Sequence, residues 1–367
     1  MTTLATWPWG KTANPYLKLF HNALEKNGYL TFKGLQINDN YLRSNAHRFR
    51  AIHFQWGVES IWRCGRFSCL AQLRAIFGFW RFLRLAKKIG LRLIWSVHEL
   101  QPITQPTWID RIGYYMLAQA IDLGICHSEK IRDDFLSRYR CRASSTVVIP
   151  IGNYDGIYPE PHSREQTLSA LGLDSNKHTL LCCGLIHRSK GFILAVDAVR
   201  HLGTEYQLII AGPPYEKSYV DELIGQSSGI LQVRIIPRLI SDQELADLYE
   251  AADCLLLPYE RVTGSSALLT AATLKRGVVA SDLPFFREIL ALQPEAGVVF
   301  STGKVNQLVA AIKDYFAVPT HRRSASARSL ADRFDWNEVV KPVVQRLDQL
   351  RLRTDYPNHC RVPLPTC

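Results

Sequence analysis

The chain alternates short apolar runs with stretches whose apolar positions recur at helical spacing. In the first half, YLTFKGLQI (29–37), AIHFQW (51–56), LRLIWSVHEL (91–100), AIDLGICHS (120–128) and STVVIPIG (145–152) read as strands, and TTLATW near the start as a short first one. Residues 70–90, 107–118 and 128–138 read as helices. Strands separated by helices of roughly 10–15 residues predict βαβ units and a parallel sheet. Residues 153–176 break this rhythm, with Pro159, Pro161 and many polar positions, and read as a linker. The alternation then restarts, with strands expected at 178–185, 205–212, 231–237, 253–259, 277–282 and 296–301. Helices are expected at 190–201, 216–225, 241–252 and 265–275, and three more at 304–316, 321–332 and 336–352. The fold class is α/β, with two Rossmann-like domains in tandem. Their expected bounds are 1–155 and 177–335, with 156–176 between them, a terminal helix over 336–352 and a tail over 353–367.

Open parallel sheets bind ligands beyond the carboxyl ends of their strands, so the loops after strands are where chemistry is sought. In CCGLIHRSKGF, Gly184 ends a strand and His187, Arg188 and Lys190 occupy the turn into the next helix. Two cations there suit a phosphate, although a solvated basic loop would look the same. RVTGSSALLTAA follows the strand at 253–259, so Tyr259, Thr263, Gly264, Ser265 and Ser266 offer hydroxyls and amides at a helix mouth. Ordinary capping also favours such residues. Arg238 leaves the strand at 231–237, and Glu288 sits in a short helix after 277–282, placed to meet a base, phosphate or sugar hydroxyl.

In the first domain, SVHELQP puts His98 and Glu99 at a strand end, where one can shuttle a proton and the other act as a base. Gly10, Lys11 and Asn14 in WPWGKTANPY, Gln55, Trp56 and Glu59 in HFQWGVE, and His127 in ICHSEK occupy comparable loops. That set suits a polyol or sugar. Neither a Walker A pattern, a GxGxxG turn nor a Gly-x-Ser-x-Gly elbow is present.

Composition narrows the partners. The 44 Lys and Arg against 33 Asp and Glu give a formal charge of +11 and favour an acidic partner. Residues 60–92 hold Arg63, Arg66, Arg74, Arg81, Arg84, Lys87, Lys88 and Arg92 with no acid, interleaved with Phe77, Phe79, Trp80, Phe82 and Leu83. Residues 70–90 therefore fit either an interfacial helix on an anionic membrane surface or a core helix with one solvated face. No nucleic-acid-binding module is recognisable, so no nucleic acid partner is expected. The nine Cys are odd in number, and Cys126, Cys182, Cys183 and Cys254 lie in apolar runs, as buried free thiols would. No ligand spacing for a metal is seen. Without a signal-peptide pattern or a membrane-length apolar run, the expected location is cytoplasmic, peripheral at the inner face of the cell membrane at most.

Together these stretches resemble the family 4-type glycosyltransferases of the GT-B fold, especially bacterial enzymes of exopolysaccharide and lipid-linked glycan assembly. IHFQWGVE is similar to that family's His-x-His-Trp strand end, IWSVHELQP to its TVHN segment, and CGLIHRSKG to its donor-phosphate loop. ISDQELADLYEAADCLLLPY, followed by a small-residue loop and GVVASDLPFFREI, carries the most specific likeness. The resemblance implies two domains facing a central cleft, and a terminal helix that crosses back to the first. It implies a nucleotide-diphosphate sugar, such as GDP-mannose or a UDP-sugar, held by Gly184, His187, Arg188, Lys190, Arg238, Tyr259, Thr263 to Ser266, Thr270 and Glu288. The acceptor, a saccharide or lipid-linked saccharide, would meet Gly10, Lys11, Asn14, Gln55, Trp56, Glu59, His98 and His127. No cofactor or metal is implied, and Arg188 and Lys190 would neutralise the departing diphosphate. Two carboxylates usual in the donor loop are missing, since their positions fall on Val262 and Thr270. Retention of configuration is favoured. Inversion with Glu99, His98 or Glu59 as base, and a non-catalytic sugar-nucleotide-binding or membrane scaffold, stay open.

Overall fold

The computed structural model describes residues 2–9, 14–63, 68–102 and 105–350. Gly10, Lys11, Arg66 and the tail over 353–367 lie outside them.

The first unit is built on His21–Ile149 and takes in the leading strand and the last helix. Its elements are β1 (Thr2–Trp7), α1 (Tyr16–Lys26), β2 (Tyr29–Phe32), α2 (Asp39–Asn45), β3 (Ala51–Phe54), α3 (Cys69–Lys88), β4 (Arg92–Val97), α4 (Trp108–Ala120), β5 (Leu123–Cys126), α5 (Glu129–Tyr139) and β6 (Thr146–Val148). All strand pairs are parallel, in the order β2-β1-β3-β4-β5-β6. β3 and β5 are buried along their whole length, as expected when helices cover both faces. Capping sharpens the helix starts: Thr107 and Asp110 form a capping box on α4. The buried Asp110 also accepts from Trp62 Nε1 at 3.0 Å and from Arg63 at 2.6 Å. These partners hold its carboxyl down at about 2, although burial alone would raise it.

The second unit is built on Pro150–Val339 and takes in the first residues of α1. It contains α6 (Arg164–Ala170), β7 (His178–Cys183), α7 (Phe192–Leu202), β8 (Tyr206–Ala211), α8 (Lys217–Ser227), β9 (Val233–Ile236), α9 (Asp242–Ala251), β10 (Cys254–Leu257), α10 (Ser266–Thr273), β11 (Gly277–Ser281), α11 (Pro284–Ala291), β12 (Gly297–Phe300), α12 (Val305–Phe316), α13 (Thr320–Asp332) and α14 (Trp336–Val339). Its parallel sheet runs β12-β11-β10-β7-β8-β9, which is the doubly wound Rossmann order with the reversal between β7 and β10.

Several details differ from the sequence expectation. α1 and α2 were not anticipated, although Tyr16, Leu17, Phe20, Ala23 and Leu24 recur at helical spacing and are all buried. The strand expected over 29–37 stops at Phe32. Residues 156–176 carry α6, whose start has a Ser163–Gln166 capping box, and Arg164 pairs with Asp253 at 3.0 Å. The helix expected over 336–352 breaks at Val340 into α14 and α15 (Lys341–Gln349), because Pro342 in the first turn of α15 has no N–H to continue the ladder. α15 belongs to the first unit, packs on β6, and its Asp348 accepts from Tyr29 Oη at 2.5 Å. Trp336 belongs to the second, where it donates to the Asn153 carbonyl at 2.8 Å and meets Tyr16 edge-on at 5.4 Å.

Candidate active site

In the second unit the reversal of strand order between β7 and β10 brings the two loops after them side by side. The Glu260 N–H donates to the Ser189 carbonyl at 2.9 Å, lacing the loops together. Gly191, at φ +63°, sits so close to Pro258 that a Cβ would lie 2.0 Å from its carbonyl oxygen. Gly212, after β8, presses in the same way on the Gly184 carbonyl, at 1.9 Å. Only glycine permits these approaches.

His187 is buried here. Its Nδ1 accepts from the Ser189 N–H at 3.1 Å, so Nε2 carries the proton and donates to Glu216 at 3.0 Å. Burial lowers its pKa, Glu216 opposes this, and the charges of Arg261 and Lys190 add to the lowering. Those two cations therefore lie within electrostatic reach of one imidazole. Lys190 Nζ stands 3.8 Å from the Tyr259 ring centroid. Lys190 ends a short 3-10 turn, Arg188–Lys190, that precedes α7. Arg188 is drawn elsewhere: it is exposed, donates to Glu222 on α8 at 2.7 Å, and lies over the Tyr219 ring.

Ser265 caps α10, accepting from the Leu268 N–H at 3.3 Å, and is 3% exposed with its side chain bonded to Tyr259. Gly264 and Thr263 precede it on the same loop, and Ser266 shares a hydrogen bond with Tyr154. Thr270, expected at the donor, is instead a core residue of α10 bonded to Tyr158, because it lies a full turn inside the helix. Arg238 is held by Glu244, at 2.5 Å, and Glu288 is exposed on α11. Arg261 was not singled out from sequence, although it stands in the very loop that was.

The first unit carries a polar row along the carboxyl edge of its sheet. Gln55, His98 and His127 each follow immediately on β3, β4 and β5, which are neighbours in the sheet. Gln55 is fully buried; its amide donates to His53 Nε2 at 2.9 Å and its carbonyl accepts from His98 Nε2 at 2.8 Å. Ser96 lies 2.9 Å from His53 Nε2. His127 donates through Nδ1 to the Ile149 carbonyl at 3.2 Å. At the other end, His21 lies between Thr6 and Thr31, 3.2 and 2.9 Å away. Trp56 meets His98 edge-on at 5.0 Å, and His127 approaches it at 5.1 Å.

Burial pushes all four imidazoles down: His21 to about 3, His127 to about 4, and His53 and His98 well below the usual histidine range. The row is neutral at physiological pH. His21, His53 and Ser96 were missed from sequence. The i, i+2 spacing of His53 and Gln55, which puts both on one face of β3, was the available signal. Glu59 is committed to Tyr114, whose hydroxyl donates to it at 2.9 Å, and Glu99 is near enough to Tyr114 to help raise its pKa. Asn14 does not join this row; it accepts from the Tyr16 N–H at 2.9 Å and from Tyr154 at 3.2 Å, with the second unit. Gly10 and Lys11 lie outside the described residues. No group of His, Cys, Asp and Glu able to hold a metal occurs among the described residues.

Residues 177–317, from β7 to the end of α12, match the family model described as glycosyl transferases group 1. The alpha-maltose-1-phosphate synthase of Mycolicibacterium smegmatis (strain ATCC 700084 / mc(2)155) is 25% identical over 274 residues, 72% of this chain and 67% of that protein. Among solved structures, sucrose-phosphate synthase from Thermosynechococcus elongatus is similar with a TM-score of 0.72 at 16% identity, over 96% of this chain and 100% of that one. Anabaena HepE in complex with UDP and glucose gives 0.70 at 16% identity, over 95% and 100%. The chain has the GT-B architecture of two Rossmann-like domains, and its second domain carries the sequence pattern of glycosyl transferases group 1.

Proposed function

We propose that the protein transfers a hexosyl residue from a nucleoside-diphosphate sugar to a saccharide acceptor, probed first as a lipid-linked saccharide. The observation that carries this reading is the laced pair of loops at the strand reversal of the second sheet. There Lys190, in the turn before α7, and Arg261, in the loop before α10, lie within electrostatic reach of His187. A diphosphate would gain two cations and the helix amides, and the same groups would stabilise the charge growing on the leaving group. The neutral row on the first sheet offers donors and acceptors to sugar hydroxyls without attracting ions.

Retention is the favoured outcome. Of the three bases considered for inversion, Glu59 is held by Tyr114 and His98 is bonded to Gln55 through one nitrogen. The loop that ordinarily supplies two carboxylates offers Val262 and the buried Thr270. UDP-glucose is a natural first donor, given HepE, with GDP-mannose second.

The test is a panel of nucleotide sugars with lipid-diphosphate-linked and free saccharide acceptors, the product linkage and anomer being assigned by NMR. Lys190→Ala is expected to lower kcat/KM by on the order of 100-fold or more. Arg188→Ala, already engaged by Glu222, should lose far less. Donor binding unchanged by Lys190→Ala, with no transfer from any donor, would defeat the assignment. A chain that binds nucleotide sugars without transferring them would instead be the non-catalytic binding protein.

A further inference from the structure

α3 carries two apolar faces. Ile76, Phe79, Phe82, Leu83, Leu85 and Ala86 are buried in the first unit's core. Leu70, Leu73, Phe77 and Trp80 follow one another at steps of three, four and three, so they form a single stripe, and all four are exposed, Leu70 by 69%. Phe77 and Trp80 stack on each other at 5.5 Å. α4, which packs beside α3, repeats the pattern with Trp108, Ile112 and Tyr115 at steps of four and three, all exposed. A helix that covers a sheet needs one apolar stripe. Two neighbouring helices each display a second.

The charge on this face is one-sided. α3 bears Arg74, Arg81, Arg84, Lys87 and Lys88 and no acid. Asp39 takes Arg81 and Asp122 takes Lys87, each at 2.7 Å. Arg74, Arg84 and Lys88 have no acidic partner among the described residues, and Arg84 lies over the Trp80 ring at 4.9 Å. A groove of ≈ 890 Å³ runs along this face, lined by Trp80, Arg84, Lys87 and Lys88 of α3 and by Tyr115 and Met116 of α4.

We propose that this α3–α4 face docks on an anionic lipid bilayer. The aromatic and aliphatic stripes enter the interface and the basic half of α3 meets headgroup phosphates. Amphipathic depth, aromatic residues at the interface and cations against anionic headgroups are each what a membrane surface rewards. A two-fold contact with a second copy would set the cations of α3 against themselves. A nucleic acid would find nothing to stack on Leu70, Leu73 or Ile112. The readout needs no turnover, so this proposal and the sugar-transfer reading fail separately.

The experiment is flotation of the full chain with phosphatidylcholine vesicles, with and without phosphatidylglycerol. Two variants are compared, Phe77→Ser/Trp80→Ser and Arg74→Gln/Arg84→Gln/Lys88→Gln, with Leu231→Ser as an exposed apolar control in the second unit. Circular dichroism checks each fold. If the serine pair unfolds the chain, the glutamine triple decides. Wild type should bind only vesicles containing phosphatidylglycerol, and bind less tightly as salt rises. The glutamine triple should bind on the order of 100-fold more weakly, about fivefold for each cation removed. The serine pair should also lose binding and the Leu231 control should keep it. Equal binding to both vesicle types, binding unaffected by the triple, or a dimer that Phe77→Ser/Trp80→Ser dissociates would each overturn the proposal. So would single-stranded DNA displacing the chain from vesicles at matched charge.

Discussion

Gln55 decides where protons sit along the strand-exit row. Its amide donates to His53 and its carbonyl accepts from His98, so one side chain of fixed polarity ties the two imidazoles into a defined sequence of donors and acceptors. His98 Nε2 must then carry the proton, which leaves Nδ1 as the unprotonated nitrogen of the ring. A leucine of similar size would fill the space without that instruction. In Gln55→Leu the 15N resonances of His98 should therefore move from a single Nε2–H tautomer toward a mixture, at a pH where the wild-type ring is neutral. An unchanged His98 spectrum would mean that other contacts orient the ring. At the same scale, Lys190 and Arg188 are neighbours in a basic loop with different employment, one over Tyr259 and the other with Glu222. Only side-chain partners distinguish them.

At the scale of elements, the arrangement proposed to hold the donor's diphosphate depends on how closely two turns approach. β7 and β10 lie side by side because the strand order reverses there, and Gly191 lets the turn before α7 touch Pro258 at the exit of β10. In Gly191→Ala the left-handed backbone and the clash with a carbonyl oxygen act together, at a cost of about 3 kcal/mol. Thermal unfolding should fall accordingly, and nucleotide binding by titration calorimetry should weaken even in the fraction that is folded. A variant as stable as wild type would show that the loops can part without loss. α10 offers a complementary lesson. Its capping by Ser265 was legible from small hydroxylated residues before an apolar run, but the inward turn of Thr270 was not, since a threonine in a helix gives no sign of which face it occupies until its neighbours pack.

For the whole molecule, the buried histidines set a pH dependence of stability. His21, His53 and His127 are neutral in the folded chain, with pKa values held down by burial, to about 3 for His21 and about 4 for His127. In the unfolded chain each titrates near the ordinary value of about 6.5. The unfolded state therefore binds more protons between these values, and the stability present above pH 6.5 is lost as the pH falls toward 4. Each buried ring contributes a slope of up to about 1.4 kcal/mol per pH unit. Urea unfolding at pH 7 and pH 5 should show the loss, and His127→Gln should reduce it. Equal stability at the two values would mean that these rings protonate within the folded state.

The alternation of apolar runs and helical periods was enough to specify two parallel α/β sheets, because strand burial and helix amphipathicity are written into neighbouring residues. It also marked nearly every loop that carries the candidate chemistry, since those loops must follow strands. What only the tertiary structure decided was partnership. The pairing of Arg188 with Glu222, the electrostatic reach of Arg261 to His187, the run from His21 on α1 to His127 at the exit of β5, and the matching outward stripes of α3 and α4 all join residues distant in sequence. Hydrogen bonds and Coulomb interactions act over a few ångströms of space, and the chain must fold before those distances exist.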